Sequence, residues 1–247
     1  MIKEILSLEF KVTSNDMAPN GRLSLTALMK YFQEAAHQHA INMGVGFHQL
    51  KIQNIFWVLS SIDIEIKELP AFDETFKVET WPRGSRRLFS IRDFFVYKNG
   101  TVVARASSAW LMINLTSKRP VRPEALFSGI RFLSEKRAFD QESAMAVKTN
   151  GSKLLESRAV RFSDLDINGH VNNTRYVEWI FDAIHLTPFK DLRVCGLSVK
   201  FSSEFKEGEV ADITLSEGID KQSVQVDLVH PGTETGVRAF LFFPLKK

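Results

Sequence analysis

The sequence is poor in cysteine and in long apolar runs, and each shortage excludes a class of protein. A single cysteine, Cys195, excludes a disulfide framework within one chain and any zinc site built on several cysteines. One thiol leaves the redox compartment undetermined, with a reducing cytosol as the default. No apolar run approaches the roughly 18 residues that a membrane-spanning helix needs, so we expect no membrane span.

Strong charge of one sign is also absent. The net charge is +3 over 247 residues, with 44% apolar and 25% charged residues, as in an ordinary folded protein. This balance is compatible with a local basic patch for an acidic partner. No cluster of basic and aromatic residues of the RNA-binding kind is present, so we expect no nucleic acid partner. The first ten residues, MIKEILSLEF, lack the apolar core of a signal peptide.

A short turn occurs twice in the chain. Residues 16–23 read DMAPNGRL and residues 164–171 read DLDINGHV, which places Asn20 and Asn168 at matching positions, 148 residues apart. Each copy contains Asn-Gly, a turn signal, and is followed by apolar residues at helical spacing. Ser24 and Asn172 stand where they can cap the two predicted helices.

Runs of alternating apolar residues surround both helices and predict strands. In the first half they cover residues 6–12, 56–66, 74–81, 88–97 and 102–113. In the second half they cover residues 158–162, 193–201, 210–216, 223–228 and 237–243. One strand, one long helix and an antiparallel run of strands, twice over, predict an α+β chain in which each half wraps a sheet around a helix.

The second copy of the turn carries titratable groups that the first copy lacks. Residues 164–173 read DLDINGHVNN, and the simplest interpretation is a polar turn with capping side chains. However, the first copy has Arg22 opposite His170 and Ala18 opposite Asp166. A histidine at a helix N-terminus can donate a hydrogen bond or exchange protons near neutral pH, and the amides there can stabilise an oxyanion.

Such a site also needs a carboxylate base, for which Glu204 is the candidate. It follows the strand predicted at residues 193–201. The alternative, a surface salt bridge, stays open at this point because spacing alone does not show that Glu204 faces His170.

The residues of the second turn closely resemble the signature of acyl-acyl carrier protein (acyl-ACP) thioesterases, both plant and bacterial. The signature Leu-Asp-x-Asn-x-His-Val-Asn-Asn continues to a Tyr and a Trp, which are Tyr176 and Trp179 here. In the first half, residues 79–81 (ETW), 85–87 (SRR) and 92–94 (RDF) resemble further family motifs in the same order. The resemblance therefore covers nearly the whole chain.

The resemblance implies a tandem double hotdog fold. Residues 1–125 are then an N-terminal hotdog domain with the acyl pocket and the carrier-protein docking surface. Residues 126–152 are a linker, and residues 153–247 are the catalytic C-terminal hotdog domain. The family's catalytic positions fall on Asp166, Asn168, His170 and Glu204. No metal or cofactor is implied.

One position departs from the plant members of the family, which usually have a Cys directly after the catalytic Glu. This sequence has Phe205 there, and Cys195 lies nine positions before Glu204. A Cys-His-Asn mechanism is therefore disfavoured, and a carboxylate-driven hydrolysis is expected. The backbone amides of Gly169 and Val171 are the expected oxyanion donors.

The implied substrate is a fatty acyl chain on the phosphopantetheine arm of acyl carrier protein, whose hydrolysis ends chain elongation in fatty acid biosynthesis. Because the carrier protein is acidic, basic residues are expected to dock it. The candidates are Arg83, Arg86, Arg87, Lys118, Arg119 and Arg122.

Three other functions share this chemistry or fold. They are an acyl-CoA thioesterase, a hotdog hydratase or dehydratase, which also uses a His and a carboxylate, and a non-catalytic acyl-binding protein. A monomer and a homodimer are both open. The absence of a transit peptide favours a bacterial cytoplasmic enzyme, with a mature plastid form as the alternative.

Overall fold

The computed structural model describes residues 4–123, 126–127, 130–140, 147–187 and 193–244. The chain divides into two compact units, an N-terminal unit of residues 1–142 and a C-terminal unit of residues 143–247. Among the described residues, no helix is long and apolar enough to cross a membrane.

The N-terminal unit is an antiparallel sheet with one long helix. Its described strands are β1 (Leu6–Lys11), β2 (Ile55–Ile66), β3 (Thr75–Arg86), β4 (Phe89–Lys98), β5 (Thr101–Asn114) and β6 (Pro120–Val121). Its described helices are α1 (Leu25–Asn42) and α2 (Phe47–Ile52). The strands pair in the order β1-β3-β4-β5-β2, and β6 pairs with the end of β5.

The C-terminal unit repeats this plan. Its described strands are β7 (Thr149–Ala159), β8 (Gly196–Phe201), β9 (Val210–Gly218), β10 (Ser223–Val229) and β11 (Gly236–Phe242). Its long helix is α3 (Asn173–His185), and the strands pair in the order β8-β11-β10-β9-β7. The strand, helix and antiparallel strands predicted for each half are therefore confirmed.

Helices α1 and α3 begin at the predicted caps. The side-chain oxygen of Ser24 accepts a hydrogen bond from the Ala27 amide at 3.1 Å, and that of Asn172 accepts one from the Thr174 amide at 3.0 Å. Apolar residues three and four positions apart fall on one helical face, which is the face that each helix buries. In α1 this face includes Leu28, which is fully buried, and α1 packs against β1 and β3.

Three motif residues of the first half, Trp81, Arg92 and Asp93, are buried in the fold. Asp93 is fully buried and accepts a hydrogen bond from the Ala138 amide at 2.8 Å. The Trp81 indole N–H donates to the Lys136 carbonyl at 2.8 Å. Arg92 is also buried, its guanidinium donates to the Thr80 hydroxyl at 3.1 Å, and burial lowers the pKa of the guanidinium to about 10. Trp81 and Asp93 thereby tie the chain around residues 136–138 to strands β3 and β4.

Strand β7 begins inside the segment 126–152 that the sequence predicts as a linker. Its first residues are exposed, and register shifts interrupt its pairing with β9, so the sequence has no alternation to reveal a strand there. Phe162, predicted to end this strand, instead starts a 3-10 turn. Residues 128–129 and 141–146 of the predicted linker lie outside the described residues, and the linker itself stays a prediction.

Strand β3 continues five residues past its predicted end at Trp81. The register shifts between Pro82 and Gly84, and Gly84 has a φ of +131°. Proline and glycine in a strand mark a bulge. A bulge interrupts the alternation of apolar and polar residues, so the sequence does not predict that the strand continues.

Replacing Leu28 by Ala should strongly destabilise the fold, because it leaves a cavity between α1 and the sheet. Leu→Ala changes at buried sites cost about 2–5 kcal/mol. We expect a loss of this size in the free energy of unfolding, measured by denaturant titration.

Ile41→Ala is the matched control, since it removes the same number of carbon atoms from the same helix at a side chain that is 41% exposed. Its cost should stay below about 1 kcal/mol. Equal losses for the two variants would contradict the assignment of the buried face.

Candidate active site

The repeated turn has the same backbone frame in both units. In the C-terminal unit, the Asp166 amide donates to the His170 carbonyl at 2.7 Å and the Gly169 amide donates to the Asp166 carbonyl at 3.1 Å. In the N-terminal unit, residues 18–22 make the same two bonds at 2.8 and 3.0 Å. Gly169 and Gly21 have φ values of +77° and +74°, which a glycine adopts without strain. The sequence repeat is therefore a structural repeat.

Asp166 adds hydrogen bonds that the first copy cannot make. One carboxylate oxygen, Oδ1, accepts from the amides of Asn168 at 2.7 Å and His170 at 3.3 Å, and Oδ2 lies 3.4 Å from the Asn168 side-chain nitrogen. Ala18, at the matching position in the N-terminal unit, has no acceptor there. Asp166 therefore orders the backbone on which both Asn168 and His170 are carried.

The segment after β8 is fastened to the start of α3 through Phe205. The Val171 amide donates to the Phe205 carbonyl at 2.9 Å, and the Phe205 amide donates to the Tyr176 hydroxyl at 3.0 Å. Burial raises the pKa of the Tyr176 phenol, so the hydroxyl stays neutral near neutral pH. The two bonds hold the backbone just after Glu204 against the backbone just after His170.

His170 and Glu204 face each other as a result. His170 Nδ1 lies 3.2 Å from Glu204 Oε2, and their side chains are 24% and 44% exposed. This pair joins an imidazole to a carboxylate accessible to water and ligand, an arrangement suited to general acid–base chemistry. The four predicted catalytic residues thus lie at one junction.

The N-terminal unit has an ion pair at the matching place. The Leu23 amide donates to the Pro70 carbonyl at 2.8 Å, as Val171 does to Phe205, and Arg22 pairs with Glu68 at 3.0 Å. A guanidinium does not exchange its proton near neutral pH. The two junctions share a backbone frame, and the His–carboxylate pair distinguishes the C-terminal one.

Both expected oxyanion donors already have acceptors. The Gly169 amide donates to the Asp166 carbonyl and the Val171 amide donates to the Phe205 carbonyl. An N–H group committed to the fold cannot also stabilise a substrate oxygen without breaking its bond. The geometry argues against the expected oxyanion role of Gly169 and Val171, which sequence could not foresee because their acceptors belong to the fold.

Cys195 lies at the opposite end of β8 from Glu204. Six residues of β8 separate the two, about 20 Å of extended chain. The Cys195 thiol lies 3.4 Å from the Phe242 carbonyl. This placement agrees with a site that does not use the cysteine.

Three further residues lie beside the junction, and no sequence motif points to them: Ser203, Glu209 and His230. The His230 ring stacks on Phe205 with centroids 3.9 Å apart, and His230 Nε2 lies 3.3 Å from the Ser203 hydroxyl. His230 comes from the turn after β10, so no motif or spacing relates it to Glu204. Among the described residues, no group of three or more His, Cys, Asp or Glu is arranged to hold a metal ion.

The predicted docking residues separate into two groups. Arg83 is only 14% exposed, with its guanidinium 3.7 Å from buried Asp93, so it belongs to the interior of the fold. The exposed candidates are Arg86, Arg87, Lys118, Arg119 and Arg122. They lie at one end of the N-terminal sheet, because the β3–β4 turn sits beside the end of β5.

Family comparisons match both halves of the chain. The model of the acyl-ACP thioesterase N-terminal domain matches residues 3–126, and that of the acyl-ACP thioesterase C-terminal domain matches residues 148–238. Among curated proteins, the chain is 28% identical over 212 residues to a chloroplastic dodecanoyl-[acyl-carrier-protein] hydrolase of Cinnamomum camphora. That match covers 79% of this chain and 55% of the relative. The chain spans about half the length of the curated relatives it matches.

Solved structures match over nearly the full chain. An acyl-ACP thioesterase from Bacteroides thetaiotaomicron has a TM-score of 0.87 and 28% identity, and the match covers 98% of both chains. The 12:0-ACP thioesterase from Umbellularia californica has a TM-score of 0.79 and 21% identity, covering 100% of this chain and 99% of that one. These likenesses confirm the predicted tandem hotdog fold.

Replacing Tyr176 by Phe should loosen the junction. The change removes the hydroxyl that accepts from the buried Phe205 amide, and an unpaired buried donor costs about 1–3 kcal/mol. We expect that loss in the free energy of unfolding and faster hydrogen exchange of the Phe205 amide.

Tyr31→Phe is the control, because it removes a hydroxyl that donates to Asp16 at 2.8 Å in the N-terminal unit. It should leave exchange at Phe205 unchanged. If the Phe205 amide in Tyr176→Phe exchanged at the wild-type rate, the Tyr176 hydroxyl would not be what fastens the segment after β8 to α3.

Proposed function

Because the chain belongs to the acyl-ACP thioesterase family, we propose that it hydrolyses fatty acyl-ACP thioesters. The products are free fatty acid and the thiol of the carrier protein, and the reaction ends chain elongation. The observation that carries the proposal is the contact of 3.2 Å between His170 Nδ1 and Glu204 Oε2 at the start of α3. A cytoplasmic location is part of the same proposal.

Glu204 is proposed as the residue that drives hydrolysis. As a general base, its carboxylate takes a proton from water while the water oxygen bonds to the thioester carbon. The carbon–sulfur bond then breaks, and His170 supplies a proton to the leaving thiolate. A direct attack by Glu204, giving an anhydride that water hydrolyses, is the other route that this arrangement permits.

Asp166 and Asn168 are proposed as supporting residues. The hydrogen bonds from the Asn168 and His170 amides to the Asp166 carboxylate support a role for Asp166 in holding both residues at the junction. The amide side chain of Asn168, which is exposed, orients the attacking water or the thioester carbonyl in this scheme.

The partner in this proposal is acyl carrier protein with a phosphopantetheine-linked acyl chain. The exposed basic residues at the end of the N-terminal sheet support docking of an acidic protein there. The acyl chain is proposed to lie within the N-terminal hotdog unit. Both a monomer and a homodimer fit this scheme.

Glu204→Gln should abolish most of the activity, because an amide cannot act as base or nucleophile. We expect kcat for release of thiol from acyl-ACP to fall on the order of 100-fold or more. The substrates are acyl-ACPs of several chain lengths and the matching acyl-CoAs.

Glu207→Gln is the matched control, an exposed glutamate in the same loop, and it should keep wild-type turnover. Faster wild-type release from acyl-CoA would assign the activity to that substrate instead. No release from either substrate would disprove the thioesterase proposal, and dehydration of 3-hydroxyacyl substrates would then identify the hydratase class.

Reversing charge at the basic end of the N-terminal sheet should weaken binding of the carrier protein. For Arg87→Glu with Lys118→Glu, we expect KM to rise on the order of tenfold at low salt with kcat nearly unchanged, because like charges repel during encounter. Lys221→Glu is the control, since Lys221, Arg87 and Lys118 are all exposed turn residues with φ values of 55–56°. Equal KM values for control and double variant would remove this surface from the proposal.

A further inference from the structure

The residues on both sides of Glu204 in the chain touch the same imidazole. The Ser203 hydroxyl lies 3.3 Å from His230 Nε2. The Phe205 ring stacks on the His230 ring with centroids 3.9 Å apart and planes 17° from parallel. Phe205 is fully buried, so this stacking is part of the packed interior. His230 thus bridges the segment that carries the proposed base.

His230 is itself held by the β10–β11 turn. Its amide donates to the Thr235 carbonyl at 3.2 Å, and its carbonyl accepts from the Thr233 amide at 3.0 Å. The amides of Ser202 and Ser203 both donate to the carbonyl of Gly236, at 2.9 and 3.1 Å. The imidazole therefore projects from a hydrogen-bonded turn. At the other end of that turn, Gly236 binds the backbone just before Glu204.

The loop after Glu204 returns to the same histidine. Glu209 Oε2 accepts from the Lys206 amide at 2.8 Å and lies 3.9 Å from His230 Nδ1. The second distance is too long for a hydrogen bond, so the Glu209 carboxylate lies beside the imidazole without bonding to it. His230 therefore contacts the loop at Ser203, Phe205 and Glu209, before and after Glu204.

The side chain of Glu204 has few contacts of its own. Its side chain is 44% exposed, and His170 is the partner that the described residues offer its carboxylate. A glutamate side chain loses considerable rotamer freedom when it is fixed, and an exposed contact with one polar partner offsets little of that loss. The position of its backbone therefore decides whether the carboxylate stays in reach of His170.

We propose that His230 is a positioning residue for Glu204. It holds the Ser203–Phe205 segment so that the Glu204 carboxylate remains beside His170. This role rests on the proposed function, in which Glu204 drives hydrolysis. His230 acts through Glu204 and does not touch the reacting atoms. In the absence of the ring, the segment shifts and the carboxylate loses its alignment with His170.

His230→Ala tests the proposal through kcat, KM and the dependence of its effect on Glu204. Because a displacement near 1 Å can cost on the order of 100-fold in rate, we expect kcat for acyl-ACP to fall at least tenfold with KM within about twofold. His230→Phe keeps a ring to stack on Phe205 and should recover part of the loss. His185→Ala, at an exposed histidine ending α3, should have wild-type kcat.

The same change in a Glu204→Ala background separates positioning from direct catalysis. A residue that acts through Glu204 has nothing left to position there, so the double variant should be no slower than Glu204→Ala. A further loss equal to that in the wild-type background would overturn the proposal. A His230→Ala enzyme with wild-type kcat and only a lowered Tm would show a purely structural histidine, and would also overturn it.

A crystal structure of His230→Ala tests the geometry without any activity. We expect the distance from His170 Nδ1 to Glu204 Oε2 to increase from 3.2 Å by more than 1 Å. An unchanged distance would overturn the positioning role. If the wild-type protein releases no thiol from acyl-ACP, the proposed function fails, and this structure alone decides whether His230 positions Glu204.

Discussion

The arrangement of the C-terminal junction depends on how the peptide groups on both sides of Phe205 are held. The Phe205 carbonyl accepts from the Val171 amide, and its amide donates to the Tyr176 hydroxyl. His170 directly precedes Val171 and Glu204 directly precedes Phe205, so these bonds bring the two side chains near each other. An exposed ion pair alone is worth too little to do so. The junction is thus built by backbone bonds, and these bonds carry the side chains that are proposed to react.

The N-terminal unit shows which parts of this arrangement belong to the fold and which to the chemistry. Its Leu23 amide donates to the Pro70 carbonyl, as Val171 does to Phe205. Proline has no N–H group, so this unit needs no hydroxyl to satisfy one, and buried Leu28 stands at the repeat position of Tyr176. The shared bond is a property of the repeated frame. Asp166 and the His–Glu pair are additions made on one copy of it.

The sequence predicts what depends on local pattern and on repetition. The helices, their caps at Ser24 and Asn172, and most strands follow from periodicity and turn residues, and the structure confirms them. The boundaries of two strands were predicted wrongly because the local pattern is interrupted. Strand β7 starts at exposed polar residues, and β3 passes through a bulge beside Pro82. In both cases the strand forms because it pairs with the backbone of a neighbouring strand, although its own residues do not alternate between apolar and polar.

Contacts between residues that are far apart in the sequence are the other features that could not be predicted. Spacing identified Glu204 through the family motif, but it could not show that Arg83 lies against buried Asp93 or that the Val171 amide donates to the Phe205 carbonyl. The missed contacts are those between the β8–β9 loop and the β10–β11 turn. They depend on the register of three strands, which no short motif encodes.

Phe205 explains why a carboxylate, and not a thiol, is the group available for the proposed chemistry. Its side chain is fully buried and stacked on His230, and its ring centroid lies 6.1 Å from that of Tyr176. Burying a phenylalanine contributes about 1.5–3 kcal/mol, and a cysteine in its place offers much less apolar surface and no ring to stack. The residue after Glu204 therefore anchors the loop in this chain. With that position committed to packing and Cys195 at the far end of β8, the described part of the junction offers the exposed carboxylate beside His170 for the proposed chemistry.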